Sequence, residues 1–162
     1  MEKQKQTVVV TCLIRNEAAE ILLVRHVRRG WELPQGRVEE GESLTEAVHR
    51  EVLEETGTCI ELGPLAVVWS KVCLPPATIF GYSGRYLNGA LTPSDETQEV
   101  SWFSAEEALG LVTHQVNRDR LQALLQQGDR LIHRAYRTRP FVLLEPTEAE
   151  KVSLKAMQAL VF

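Results

Sequence analysis

Three cysteines stand in the 162 residues, Cys12, Cys59 and Cys73. They are odd in number and make no CxxC pair, which excludes a disulfide framework and suggests reduced thiols in a cytosolic setting. No stretch approaches eighteen apolar residues, and the opening Met-Glu-Lys-Gln-Lys-Gln holds no apolar signal core. Neither a membrane span nor a secretory leader is expected. Charge of one sign is also scarce: 18 Lys and Arg against 22 Asp and Glu leave a net −4. That balance argues against a general nucleic-acid binder, and no DNA binding is expected. An anionic ligand would need local help from a metal and arginines. His26, His49, His114 and His133 show no metal-ligand spacing, and there is no internal repeat or low-complexity segment. The hydrophobic fraction of 44% and charged fraction of 25% are ordinary for a soluble globular protein of one domain.

Against this plain background, one stretch is dense in chemistry. Gly36, Glu42, Arg50, Glu51, Glu54, Glu55 and Gly57 lie in GRVEEGESLTEAVHREVLEETGT. The spacing predicts a helix. Ser43 followed by Glu46 forms a capping box, and Gly57 just past the last periodic residue would close the helix in a left-handed conformation. Leu44, Ala47 and Val48 fall on the same arc as Glu51, Glu54 and Glu55, so the inward stripe starts apolar and turns acidic. Ordinary surface helices place their acids on the opposite face.

Three carboxylates so placed would repel one another and raise one another's pKa values. Arg50 can pair with Glu46 or Glu54 across one turn, but one guanidinium does not neutralise three acids. A divalent cation would, and an all-oxygen cluster suits Mg2+, with Mn2+ as a substitute, rather than zinc. A solvated acidic helix laced with intrahelical pairs is the competing reading.

The whole pattern, Gly, five residues, Glu, seven residues, then Arg-Glu-x-x-Glu-Glu-x-Gly, resembles the signature of the Nudix hydrolases. Only Thr58 departs from it, where an aliphatic residue is usual. Seven fixed letters coincide by chance about once in 10^8 positions, at usages of roughly one in fifteen. The resemblance covers about residues 7–127 and implies an α/β fold, an α/β/α sandwich around a mixed β-sheet. It implies hydrolysis of a nucleoside diphosphate linked to another group, a nucleotide-type small-molecule substrate. It further implies Glu51 and Glu55 as principal metal ligands, Glu54 completing the site, and the Gly36 carbonyl as a further ligand. Glu42 would act through a metal-bound water, and Arg50 would orient a carboxylate. The catalytic base would be a signature glutamate, Glu51 or Glu54, or an acid on a later loop, Glu96 before Glu99.

The remaining chain supports that layout. Residues 7–14, 21–27, 65–72, 78–87 and 100–103 read as strands. Ser104 to Glu107 opens a second helix ending near Gly110, and a longer amphipathic helix runs through Val116, Leu121, Leu124 and Leu125 to Gly128. Residues 1–145 are expected to form the domain. Residues 146–162 are expected to form an amphipathic helix, striped by Leu154, Met157, Leu160 and Val161, packed on the domain or on a partner subunit, so the chain is a monomer or a homodimer.

Arg25, Arg28, Arg29 and Arg37 cluster near the helix entrance as candidate phosphate ligands, Arg25 and Arg37 foremost. Trp31, Phe80, Tyr82 and Tyr86 offer faces for a base to stack on, although alternation puts the last three on one side of a strand, where at least one belongs to the core. Substrate choice lies outside the signature. Pro34-Gln35-Gly36 looks like RNA pyrophosphohydrolases and dinucleoside polyphosphate hydrolases. Pro75 and Pro76 fall just beyond the marker position of ADP-ribose pyrophosphatases. Free nucleotides are preferred over RNA 5′ ends, and a catalytically weak nucleotide-sensing module is the alternative from another class.

Overall fold

A computed structural model describes residues 5–146 together with residues 151, 155, 156 and 159. Among the described residues one mixed sheet runs through the molecule. Its strands are β1 (Thr7–Arg15), β2 (Ile21–His26), β3 (Gly30–Glu32), β4 (Gln35–Arg37), β5 (Cys59–Lys71), β6 (Ala77–Asn88), β7 (Thr97–Phe103), β8 (Ile132–Arg137) and β9 (Val142–Leu143). The path is β3-β2-β1-β6-β5-β8-β9, with β4 alongside β1 and β7 alongside β2. β1 pairs with β6 and β5 with β8 in parallel, and the other pairs are antiparallel.

The alternation of β1 and β2 sends side chains to two cores. Val10, Cys12, Ile14 and Leu22 meet Ala47, Val48 and Val52 of helix α1 (Leu44–Thr56). Leu13, Ile21 and Leu23 meet Ala108 of α2 (Ala105–Leu111) and Leu121, Ala123 and Leu124 of α3 (Gln115–Gln126). Helices thus cover both faces of the sheet, the layering expected above. Tyr82 is buried in the α1-side core, with Phe80 and Tyr86 packed beside it. Tyr86 donates to the Gly89 carbonyl at 2.8 Å and meets Trp102 edge-on.

The caps fall where the sequence places them. Ser43 Oγ accepts from the Glu46 amide while the Glu46 carboxylate accepts from the Ser43 amide, and Gly57 closes α1 at φ 74°. A cap of this kind contributes about 1 kcal/mol. Thr58 is buried, and its hydroxyl lies 2.7 Å from that of Thr56, which in turn donates to the Val52 carbonyl. The atypical threonine therefore leaves no orphaned hydroxyl.

Several elements differ from expectation. Gly110 lies inside α2, whose cap is Val112. β5 begins at Cys59, six residues before the expected start. β8 was not expected, because its Ile-His-Arg-Ala-Tyr-Arg sequence hides a strand that buries only Tyr136. Cys12 is buried, whereas Cys73 is only partly covered, accepts from the Thr138 amide and shares a hydrogen bond with the Thr138 hydroxyl. The apolar stripe expected across residues 154–161 lies outside the described residues.

Candidate active site

The two residues at the start of β4, Gln35 and Gly36, lie beside β1 opposite Thr11 and Val10. The chain then turns directly into α1, so this short strand faces the acidic end of the helix. The Gln35 amide donates to Glu55 Oε2 at 3.0 Å. Gly36 presents no side chain, and the Glu51 carboxylate fills the space where one would stand. Glu51 and Glu55 are one turn apart on α1 and both line a cleft of about 690 Å³.

Arg50 organises the outer carboxylates. Its Nε and Nη2 grip the two oxygens of Glu42 at 2.7 and 3.0 Å, and its Nη1 reaches Glu51 at 2.9 Å and Glu54 at 3.2 Å. This hydrogen-bonded guanidinium holds the Glu42 carboxyl down at about 2. The expected Glu46 partner is occupied by its cap instead. Glu55 receives none of this charge: among the described residues it forms no ion pair, and burial pushes it up to about 8. Burial likewise raises Glu51, against the lowering effect of Arg50.

Glu96 lines the same cleft, on the loop that precedes β7. The β2–β7 pairing shifts register at Arg25/His26, and Thr97 Oγ1 donates to the Glu55 carbonyl at 3.2 Å. Ser94 and Thr97 close the preceding turn through their hydroxyls. The acidic loop is thereby tied to the end of the acidic helix.

Not every expected residue faces the cleft. Arg37 lines it, but Arg25 does not: it pairs with Glu99 at 2.7 Å on the exposed side of the β2–β7 ladder. Trp31 packs edge-on against Phe103 at 5.0 Å, in the core under α3. Glu54 is 58% exposed and held by Arg50 outside the lining. It stands about 100° around the helix from Glu55, which carries it to the rim. Among the described residues no three acidic, imidazole or thiol groups converge closely enough to hold an ion unaided.

Arg29, one of the expected arginine cluster, also lines the cleft. The rest of the lining lies outside the expected set: His26, Gln35, Lys71, His114, Asn117 and Arg120, with Val9 and Val116. Glu32, fully buried, takes two hydrogen bonds from Arg29 at 2.7 and 2.8 Å and one from Asn117 at 2.6 Å. Carboxylates, cationic groups and amides thus share one cavity.

A family model of the NUDIX domain matches residues 5–125. The chain belongs to the Nudix hydrolase family. A solved structure of the MutT protein from Bacillus halodurans aligns with a TM-score of 0.74 and 28% identity, covering 86% of this chain and 95% of that one. The 8-oxo-dGDP phosphatase of Danio rerio is 31% identical over 116 residues, 67% of this chain and 35% of that protein. The NAD-capped RNA hydrolase of Pasteurella multocida is 34% identical over 103 residues, 59% of this chain and 38% of that protein. The chain spans about a third of the length of these two relatives. Among the described residues no helix is long and apolar enough to cross a membrane.

Proposed function

We propose that this Nudix chain is a divalent-cation-dependent pyrophosphohydrolase acting on a nucleotide or nucleotide derivative. The observation that carries the reading is the meeting of Glu51, Glu55 and Glu96 in one cleft with Arg29, Arg37, Lys71, Gln35 and Asn117. Carboxylates that could hold a cation, together with cationic and amide donors, suit the phosphates and the hydrogen-bonding base of a nucleoside diphosphate.

The donor set fits a hard cation. Glu51 and Glu55 are desolvated carboxylates, and the cradle at Gly36 admits the first of them. Mg2+ characteristically takes only one or two carboxylates, with waters and substrate phosphates completing the shell. Mg2+, or Mn2+ in its place, would be held by Glu51, Glu55 and the Gly36 carbonyl, with Glu54 joining from the rim on releasing Arg50. When bound, such a cation neutralises phosphoanhydride oxygens and lowers the pKa of a coordinated water.

The chain's own groups supply the rest. Arg50 orients Glu51 and Glu42, so that both carboxylates enter the reaction already placed. Glu96 is the proposed base, accepting a proton from the attacking water, and Arg37 is the proposed phosphate ligand at the cleft mouth. Free nucleotides are the preferred substrates. Val116, Asn117 and Arg120 of α3 line the cleft, and a net charge of −4 disfavours an extended RNA strand.

The test is a panel of ADP-ribose, dinucleoside polyphosphates, NADH, normal and oxidised nucleoside triphosphates and a 5′-triphosphorylated RNA, each with Mg2+, with Mn2+ and with EDTA. Cation-dependent cleavage of a free nucleotide supports the reading. Tight nucleotide binding with no cleavage of any member would replace it with a sensing module.

A further inference from the structure

Gln35, Asn117 and Arg120 in the cleft wall and Glu32 behind it are buried, and the reading above gives none of them an individual role. Gln35 is their junction. Its side-chain carbonyl accepts from Arg120 Nη1, and its Nε2 donates to Asn117 Oδ1 at 3.3 Å. Asn117 is itself fixed, since its Nδ2 donates to the buried Glu32 carboxylate, which Arg29 holds from the other side. The Gln35 main chain meanwhile donates to Glu55 Oε2. One residue of β4 therefore connects α3 with the end of α1.

The brace is costly. Arg120 forms no salt bridge among the described residues, and its Nε is buried with no hydrogen-bond partner. A buried guanidinium with no carboxylate in contact destabilises a fold. Hydrogen bonds to Gln35 and Tyr136 offset this only in part, and apolar packing would hold α3 against the sheet at less expense. The Pro34–Gln35 peptide is already held from β1, whose Cys12 amide and Thr11 hydroxyl donate to the Pro34 carbonyl at 3.2 and 3.1 Å. What the brace adds, and apolar packing would not, is a second hold on Gln35 from the α3 side. The Gln35 amide donates the hydrogen bond given to the Glu55 carboxylate, leaving Oε1 of Glu55 free toward the cleft.

We propose that Gln35 is a positioning residue: clamped by Arg120 and Asn117, it aims its own amide at Glu55 and so sets that carboxylate for cation binding. The proposal rests on the reading of Glu55 as a cation ligand. It makes α3, whose first turn also lines the cleft through Val116 and Asn117, a support of the cation site.

The experiment measures Mn2+ binding to the full chain without nucleotide, from the loss of the free-ion electron paramagnetic resonance signal, alongside thermal melting. Gln35→Met keeps the side-chain length and removes both hydrogen-bonding groups. Its Mn2+ affinity is expected to fall about 10-fold or more, the scale typical of partners behind a metal ligand. The kcat should fall while the KM for nucleotide stays near the parent value. Arg120→Met should match it, whereas Arg120→Lys, which keeps a donor for the Gln35 carbonyl, should recover most of the affinity. Should Gln35→Met fail to fold, Asn117→Ala, which removes one clamp, carries the same comparison.

Parent-like Mn2+ affinity in these variants, with Glu55→Gln having lost it, would overturn the proposal and reduce the brace to a support for α3. Parent-like affinity in Glu55→Gln would instead remove the cation reading of Glu55, and the proposal with it.

Discussion

Gly36 and Glu51 compete for one volume: a Cβ built on Gly36 would stand 2.0 Å from both the carboxyl carbon and Oε1 of Glu51. The glycine is thus required by close approach, since its partner is a charged side chain that must stay at the cleft.

Gly36→Ala should therefore swing Glu51 out of the lining while the sheet register survives. The expected result is a cation affinity lowered at least about 10-fold with a melting temperature close to the parent. Calorimetric Mn2+ titration checks it, and an unchanged isotherm would show that Glu51 is not held where the cation binds.

Glu55 makes stability depend on pH. Burial raises its carboxyl from 4.5 to about 8, with Glu51 adding to the shift and the Gln35 amide opposing it. Between those values the folded state keeps a proton that the unfolded chain has lost. This contribution is fully present below about 4.5 and is lost as pH rises through about 8. Without divalent cation, melting temperature should fall across that window in the parent and stay flatter in Glu55→Gln. Cation affinity should rise with pH up to about 8 as the competing proton leaves. Parallel stability profiles in parent and variant would contradict the assignment.

Arg50 serves Glu42, Glu51 and Glu54 at once through its planar fork. Lysine is a single point charge and cannot reproduce that geometry. In Arg50→Lys, kcat should fall about 10- to 100-fold with little change in KM. Steady-state kinetics decide it, and a rise in KM alone would make Arg50 a substrate ligand instead.

How much of this was legible depends on where the polar residues stood. The acids of α1 were visible because they interrupt an apolar stripe, Ala47, Val48, then Glu51 and Glu55. The same signal was present in α3, where Asn117, Arg120, Leu121 and Leu124 recur at i, i+3, i+4 and i+7 and are all buried. Two polar residues at core positions pointed to the cleft wall, and the reading followed only the leucines. Arg25 looked like a phosphate ligand by proximity in sequence, but strand alternation turns it to Glu99 across the ladder. Glu54 shares the arc with its neighbours only at its edge. β8 pairs along β5 in parallel, a contact that local pattern does not encode. The pairing of Gln35 with Arg120 spans 85 residues, beyond any motif.

Glu96 lines the cleft with the helix acids, on a loop anchored to the Glu55 carbonyl by Thr97. Glu96→Gln should lower kcat by about two orders of magnitude while KM and Mn2+ affinity stay near the parent. An unaltered rate would return that role to a glutamate of α1.

The central claim is that Glu51 and Glu55 jointly hold the cation on which cleavage depends. The most direct measurement is a cation-binding isotherm at pH 7.5 for the parent, Glu51→Gln and Glu55→Gln, with turnover of the best panel substrate in the same samples. The predicted result is that each variant loses affinity and turnover together, by about 10-fold or more, while melting temperature holds or rises. Variants that bind the cation and turn over like the parent would contradict the account.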